Sequence, residues 1–282
     1  MVSGIIWLAS YPKSGNTWLR IFIENLFRNT HVPANINELG VVKYTDNSYS
    51  LYEKVVGHSI IGQEDHQLHG YRKAVQDYLG SQTQTIFVKT HNALLVHEGS
   101  PLIHMENTVG AVYLLRNPFD MVVSFAHHYR ITYDEAIQAI ASPYHRINTT
   151  QQGLFQILGG WTNHYNSWFG VENFNPLFIR YEDMIRNPVK TFGKFMKFLG
   201  LPKNPQRLKR AISNSSFEEV SDQEARNGFG ERSRPDQTFF RTGRVGAYKK
   251  VLSETQISRI IETQSDLLLE KGYICKDGKP KV

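Results

Sequence analysis

The sequence predicts an α/β fold with a mostly parallel central sheet and helices on both faces. Three observations carry this. Short, nearly continuous apolar runs occur at Ile5–Ala9, Thr85–Val88 and Thr108–Leu115, the pattern of strands buried on both sides. Each run ends in a polar break, and helical spacing returns downstream, so strands and helices alternate. The chain has 282 residues, 40% of them apolar and 12% aromatic, enough to bury a sizeable core in one large α/β domain or two small ones.

The stretch IIWLASYPKSGNTWLRIFIENLF, residues 5–27, organises the rest. Its strand stops at Ser10. Apolar residues then recur at Trp18, Phe22 and Leu26 and at Leu19, Ile23 and Phe27, which puts one stripe on a helix face. A tight strand-to-helix loop of this kind aims backbone N–H groups at one point, with the positive end of the helix dipole behind them. Gly15 permits close approach or an unusual backbone angle, and Lys13, Ser14 and Thr17 add a cation and hydroxyl donors. The loop reads as an anion site, most plausibly for phosphate. The strict pattern G-x-x-x-x-G-K-[ST] is absent, because Lys13 precedes Gly15. An ordinary strand–helix turn with a solvated lysine is the plainer alternative.

Net charge is +6. That suits an anionic ligand, nucleic acid or an acidic membrane surface, but there is no long basic block, so no nucleic-acid partner is expected. The single cysteine, Cys275, excludes an internal disulfide framework and a cysteine zinc site and fits a cytoplasmic location. The N-terminus shows no signal-type segment. No apolar run approaches the ~20 residues needed to span a bilayer, so integral membrane association is not expected.

Residues 29–85 are polar and weakly periodic, with helical turns expected near 50–56 and 70–79. The second strand ends in Lys89-Thr90-His91. A histidine there can be a satisfied core residue, a ligand or a base. The third strand leads into Arg116-Asn117-Pro118-Phe119-Asp120, where Asn117 is a good N-cap and Pro118 a good first helical residue. Arg116 alone would read as a surface ion pair, and Asp120 as support for the helix start. From Ile131 to Trp168 the expectation is helix, broken at Ser142-Pro143 and 148–150. Trp161, His164, Tyr165 and Trp168 read there as core. A fourth strand is expected at 176–181. A helix follows from Val189 to Leu199, after Asn187-Pro188, and stops at Gly200. Residues 221–247 are polar, rich in Gly and Arg, and read as one long loop. Ser253-Glu254-Thr255-Gln256 is a capping box opening the last helix.

Several of these segments recur in one known family. Y-P-K-S-G-N-T-W (11–18), K-T-H (89–91), R-N-P-F-D-M-V-V-S (116–124), R-Y-E-D (180–183), S-S-F (215–217) and R-T-G-R-V-G-A-Y-K (241–249) together resemble the sulfotransferases that use 3'-phosphoadenosine 5'-phosphosulfate (PAPS). The resemblance covers nearly the whole chain, with the segments in family order. It implies a P-loop-like, three-layer α/β fold and one sulfotransferase domain over residues 1–282. It implies transfer of a sulfuryl group to a hydroxyl or nitrogen of a small-molecule acceptor, leaving 3',5'-bisphosphoadenosine (PAP), with no metal required.

The resemblance also implies roles. His91 matches the general base and Lys89 the lysine beside the transferred group. Lys13, Ser14, Gly15, Asn16, Thr17 and Trp18 match the loop that binds the 5'-phosphosulfate end. Arg116 and Ser124 match the 3'-phosphate site, which Arg241, Thr242 and Gly243 would close. Tyr181, Ser215, Phe217 and the ring of Trp18 match neighbours of the adenine. Two positions depart from the family pattern. Thr242 stands where the family has lysine, and Tyr248 where it has tryptophan, so one cation is missing and Arg244 is the candidate to replace it. Tyr44, Tyr49, Phe125, His127, His128, Tyr129 and Trp161 are the candidate acceptor-lining set. Homodimerisation stays open, because the family's K-x-x-x-T-V-x-x-x-E pattern is not cleanly present. The rival readings are a P-loop kinase or NTPase, and a non-catalytic nucleotide- or polyanion-binding module.

Overall fold

The computed structural model describes residues 3–234 and 236–281. Its centre is a five-stranded parallel sheet of β1 (Gly4–Ser10), β2 (Tyr44–Thr45), β3 (Thr85–Thr90), β4 (Thr108–Leu115) and β5 (Leu177–Arg180), in the order β2-β3-β1-β4-β5. The three apolar runs are thus β1 and its two neighbours. All seven residues of β1 are buried, as expected of a strand with both faces covered. The register pairs Ala9 with Thr90 and Ser10 with Leu114. The carboxyl ends of these strands therefore lie side by side, the edge of an open α/β sheet at which ligands bind.

The helices are α1 (Asn16–Arg28), α2 (Tyr49–Val56), α3 (Asp65–Gly70), α4 (Arg72–Gly80), α5 (Pro118–Tyr129), α6 (Tyr133–Ala141), α7 (Trp161–Phe169), α8 (Tyr181–Arg186), α9 (Pro188–Phe198), α10 (Pro205–Asn214), α11 (Phe217–Asn227) and α12 (Glu254–Glu270). The expected caps form. The Asn117 side chain accepts from Asp120 N with Pro118 in the first turn, and Ser253 and Gln256 make a reciprocal capping box. None of these helices is long and apolar enough to cross a membrane.

The chain divides into two compact units. One comprises Met1–Pro12, Val42–Leu114 and Ser142–Phe178; the other comprises Lys13–Val41, Leu115–Ala141 and Ile179–Val282. Within the first, α4 packs on β1 and β3. Within the second, α1 packs on α10, and α5 and α12 both pack on α6.

Two expectations on local structure are corrected. The stretch from Ile131 to Trp168 is not helix throughout: Arg146–Ile147 and Gln156–Ile157 pair as a short antiparallel ladder between α6 and α7. Leu154 and Phe155 beside this ladder are buried, Phe155 against His69, His97 and the Arg72 guanidinium. Residues 221–247 are not one loop, because α11 runs on to Asn227. Ser216 caps that helix, and it buries Val220, Gln223 and Glu224. Among residues 29–85 the expected helical turns form as α2 and α4, and the structure adds α3, opened by a Glu64–Gln67 capping box.

Candidate active site

In the second unit, α1 opens on a cradle of backbone donors. Leu19 N–H is the first to reach back to a helical carbonyl, that of Gly15, so the N–H groups just before it have no partner within the helix. The first turn of α1 carries no acid, which keeps the dipole end open to an anion. The Ser14 hydroxyl is fully buried and has no hydrogen-bond partner among the described residues. Lys13 adopts φ 68°, a conformation that costs energy for a side chain other than glycine.

Arg116, at the end of β4, clamps this loop. Its Nη1 donates to the Lys13 carbonyl at 3.1 Å, and its guanidinium lies 4.3 Å from the Tyr181 ring centre. Its Nε is buried without a partner. Gly15 has φ 100°, and a Cβ there would come within 2.6 Å of Tyr181 Cδ2. Gly243 repeats the device: φ is 56° and an added Cβ would sit 2.3 Å from Phe217 Cδ2. Each glycine lets the backbone lie against an aromatic ring that a larger residue would push away. Trp18 stands edge-on to Tyr181 with ring centres 5.9 Å apart, and its indole N–H donates to the Ser215 carbonyl at 2.6 Å. The Ser215 hydroxyl turns to the Ala211 carbonyl of its own helix, so Ser215 offers Trp18 its main-chain oxygen. The Thr17 hydroxyl donates to Glu231 at 2.8 Å.

Lys13, Ser124 and Arg241 meet around a solvent-open cavity, which Arg232, His127 and Phe239 also line. The Lys13 ammonium sits 3.8 Å above the Phe239 ring. His127 and His128, expected to face the acceptor, line this same cavity. Thr242 and Arg244 are exposed and do not line it.

Two carboxylates hold the last segment in place. Asp120 accepts from Gly246 N at 2.7 Å and Tyr248 N at 3.0 Å, so it does more than open its helix. Glu224 accepts from Phe239 N and Phe240 N at 2.7 and 2.8 Å. The Tyr248 ring stacks on Phe119, 5.0 Å between centres, and fills core space. In R-Y-E-D, Glu182 is fully buried. It accepts from the Asn117 backbone and side chain and from the Tyr273 hydroxyl.

The first unit contains the strand-end histidine. His91 follows β3, and its Nδ1 lies 2.7 Å from the Ser10 carbonyl and 3.2 Å from the Ser10 hydroxyl. A carbonyl only accepts, so Nδ1 carries the proton and Nε2 is the ring's acceptor nitrogen. Behind it, His164 bridges the Tyr113 hydroxyl at 2.8 Å and the His91 carbonyl at 3.0 Å. Burial pushes the His164 imidazole down to about 4, so it is neutral at pH 7. It donates from Nε2 and accepts at Nδ1. The Trp168 N–H holds the Asn92 carbonyl at 3.2 Å. Asp46 accepts from Asn92 Nδ2 at 2.7 Å and from the Thr90 hydroxyl at 2.5 Å. Lys89 is half-buried on β3, and its carbonyl accepts from Asp46 N.

The sulfotransferase domain, as a sequence family, matches residues 4–270. The chain belongs to the sulfotransferase family. Sulfotransferase 1B1 of the dog, Canis lupus familiaris, is 28% identical over 218 residues, 77% of this chain and 66% of the relative. Flavonol 3-sulfotransferase of Flaveria bidentis is 24% identical over 96% of this chain and 84% of the relative. Two solved structures share the fold. Mouse sulfotransferase SULT7A1 complexed with PAP has a TM-score of 0.62 at 22% identity, covering 98% of this chain and 87% of that one. Retinol dehydratase in complex with retinol and PAP has a TM-score of 0.63 at 19% identity, covering 95% and 82%. The parallel sheet and its helices thus form the P-loop-like α/β fold of these two structures.

Within this sulfotransferase the expected residues fall into two groups. Lys13, Ser14, Gly15, Asn16, Thr17, Trp18, Arg116, Ser124, Tyr181, Ser215, Phe217, Arg241, Thr242 and Gly243 belong to the second unit, and Lys89 and His91 to the first. The aromatic set is divided as well. Trp161 is core of the first unit, and Phe125 is buried in the second. Sequence reasoning missed Glu224, Glu182 and Asp46 as anchors. Nothing beside them in sequence marks them as anchors, and only their buried partners show their use.

Proposed function

We propose that this sulfotransferase transfers a sulfuryl group from PAPS to a hydroxyl or nitrogen of a small-molecule acceptor, with His91 as general base. The observation that carries the reading is the Nδ1 contact of His91 with the carbonyl of Ser10. It orients the ring and leaves Nε2 as the nitrogen able to accept a proton. The residues present also fit an anionic co-substrate: the buried Ser14 hydroxyl and Arg116 Nε have no partner among the described residues, and the α1 amides face the same loop. PAP, the desulfated product of PAPS, is held by both proteins of similar fold.

PAPS supplies a sulfuryl group already activated by its 5'-phosphate leaving group. His91 Nε2 takes the acceptor proton as the new bond to sulfur forms and the bond from sulfur to the 5'-phosphate oxygen breaks, leaving PAP. Lys13 and the loop amides hold the charge that collects on the leaving phosphate, a preorganised electrostatic role. Lys89 offsets charge on the sulfuryl oxygens. Arg116 and Ser124, with Arg241 and the backbone at Thr242 and Gly243, take the 3'-phosphate. Trp18, Tyr181, Phe217 and the Ser215 backbone border the adenine. The matched region runs through both units, so the proposal treats residues 1–282 as one sulfotransferase domain. The lone Cys275 supports a cytoplasmic location.

The test is calorimetric binding of PAP against ADP and ATP, with and without magnesium, followed by transfer from PAPS to a panel of phenols, alcohols and amines. Metal-independent preference for PAP and sulfated product are expected. Preference for magnesium-ATP without sulfation would overturn the reading.

A further inference from the structure

We propose that His127 is a further ligand of the co-substrate's 3'-phosphate, and that it takes up a proton as that phosphate binds. This rests on the function proposed above and assigns a role to a residue outside the matching motifs.

Geometry carries the inference. His127 lies one helical turn beyond Ser124 on α5, and residues three apart share a helix face. Both line the cavity that Lys13 and Arg241 reach. A second, more open depression shares His127 and Arg241 and adds Arg130 and Asp236. His127 therefore stands where the Lys13 loop and the Arg241 segment converge, one turn from the serine assigned to the phosphate. The cation expected at Thr242 is missing, and Arg244 does not line the cavity. A protonated imidazole at 127 would restore that charge in the cavity itself.

The charged surroundings make the site responsive to its ligand. Arg241 and Lys13 face His127 from the loops, Arg232 lines the same cavity, and Arg130 caps the C-terminus of α5. His128 is the adjoining titratable group on α5. Arg232 is neutralised by Glu224 at 2.5 Å, and Arg130 by Asp236 at 3.1 Å. Partial burial, then Arg241, hold the His127 imidazole below its ordinary value; Lys13 and Arg130 act in the same direction, and a hydrogen bond to the Thr238 backbone opposes them. The free protein thus keeps His127 neutral near pH 7. A phosphate dianion in the cavity reverses the sign of the local field. The ring then takes one proton from solvent and donates an N–H to a phosphate oxygen.

The experiment measures Kd for PAP and for adenosine 5'-monophosphate, which lacks the 3'-phosphate, from about pH 6.5 to about pH 8. Over this range phosphate is largely dianionic, its second pKa being about 6. The unaltered protein should lose about fivefold in PAP affinity across the range and little for the monophosphate. His127→Gln should flatten the PAP profile and bind as the unaltered protein does at the alkaline end. In the unaltered protein, the titration midpoint of the His127 ring protons, followed by NMR, should rise by about one pH unit or more on saturation with PAP. An identical PAP profile in His127→Gln, or an unmoved midpoint, overturns the inference. So does a variant that binds PAP normally but shows a raised KM for the acceptor. Failure of PAP to bind the unaltered protein at any pH would instead overturn the function on which the inference rests.

Discussion

The two ends of the proposed reaction are built by opposite means. The phosphate end, in the second unit, holds buried polar atoms with no partner, a lysine at φ 68° and two glycines pressed against rings. The base end, in the first unit, is tied by hydrogen bonds. Ser10 holds the ring of His91, His164 holds its carbonyl, and Asp46 and Trp168 hold the residue that follows. The difference reflects what each must do. An anion site needs donors that the protein leaves unpaired, because buried donors gain most from a charged ligand. A general base needs one tautomer and one orientation before the acceptor arrives, so its neighbours must already be satisfied.

This contrast predicts where each change is felt. The largest effect is expected at the base. His91→Ala should lower transfer by about 10³-fold while PAP affinity stays within about twofold, because the residue belongs to the tied end. Steady-state rates and calorimetry on the same preparation check the split, and a parallel loss of PAP binding would erase the distinction.

Next comes a pH effect on the stability of the base end. His164 is held at about 4 when folded, against 6.5 ordinarily. As pH falls below 6.5 the unfolded chain takes a proton that the folded chain refuses. The stability His164 contributes as a neutral residue is complete above that value and is lost toward pH 4, by about 3 kcal/mol at most. His164→Gln keeps one donor and one acceptor and should flatten this part of the curve of melting temperature against pH. An unchanged acid slope would mean that other groups set it.

At the phosphate end, Gly15→Ala should weaken PAP binding by about tenfold or more and cost about 1–3 kcal/mol of stability, since the new Cβ meets the Tyr181 ring at a positive φ. Tyr181→Ala in the same chain should recover part of the stability and none of the binding. The smallest effect is expected from Asp120→Asn. It leaves the Gly246 and Tyr248 amides a weaker acceptor and should reduce PAP affinity by about threefold to tenfold, with no change in the pH dependence of the rate.

Much of the fold was legible because it rests on local patterns. The runs at Ile5–Ala9, Thr85–Val88 and Thr108–Leu115 are apolar on both faces, and Asn117-Pro118 and the Ser253–Gln256 box mark helix starts within four residues of sequence. The hairpin at 146–157 and the extension of α11 to Asn227 were not legible. Leu154 and Phe155 are apolar in either a hairpin or a helix, and polar Gln223 and Glu224 are buried only because distant backbone amides need acceptors. The motif residues were readable, but their surroundings were not. Nothing near Ser215 in sequence shows that its hydroxyl turns to its own helix, and nothing near His127 shows that it lines one cavity with Lys13.

By itself the sequence determined the class of fold, the strand–loop–helix at residues 5–27, and the kinds of group each loop presents. These follow from periodicity, caps and side-chain chemistry, which act over a few residues. The tertiary structure decided which nitrogen of His91 carries the proton, why Gly15 and Gly243 must lack a side chain, and which acids anchor the loops. Those are properties of contacts between segments far apart in the chain, as from Gly15 to Tyr181 or from Thr17 to Glu231. Such contacts exist only once packing has chosen neighbours for each buried polar atom.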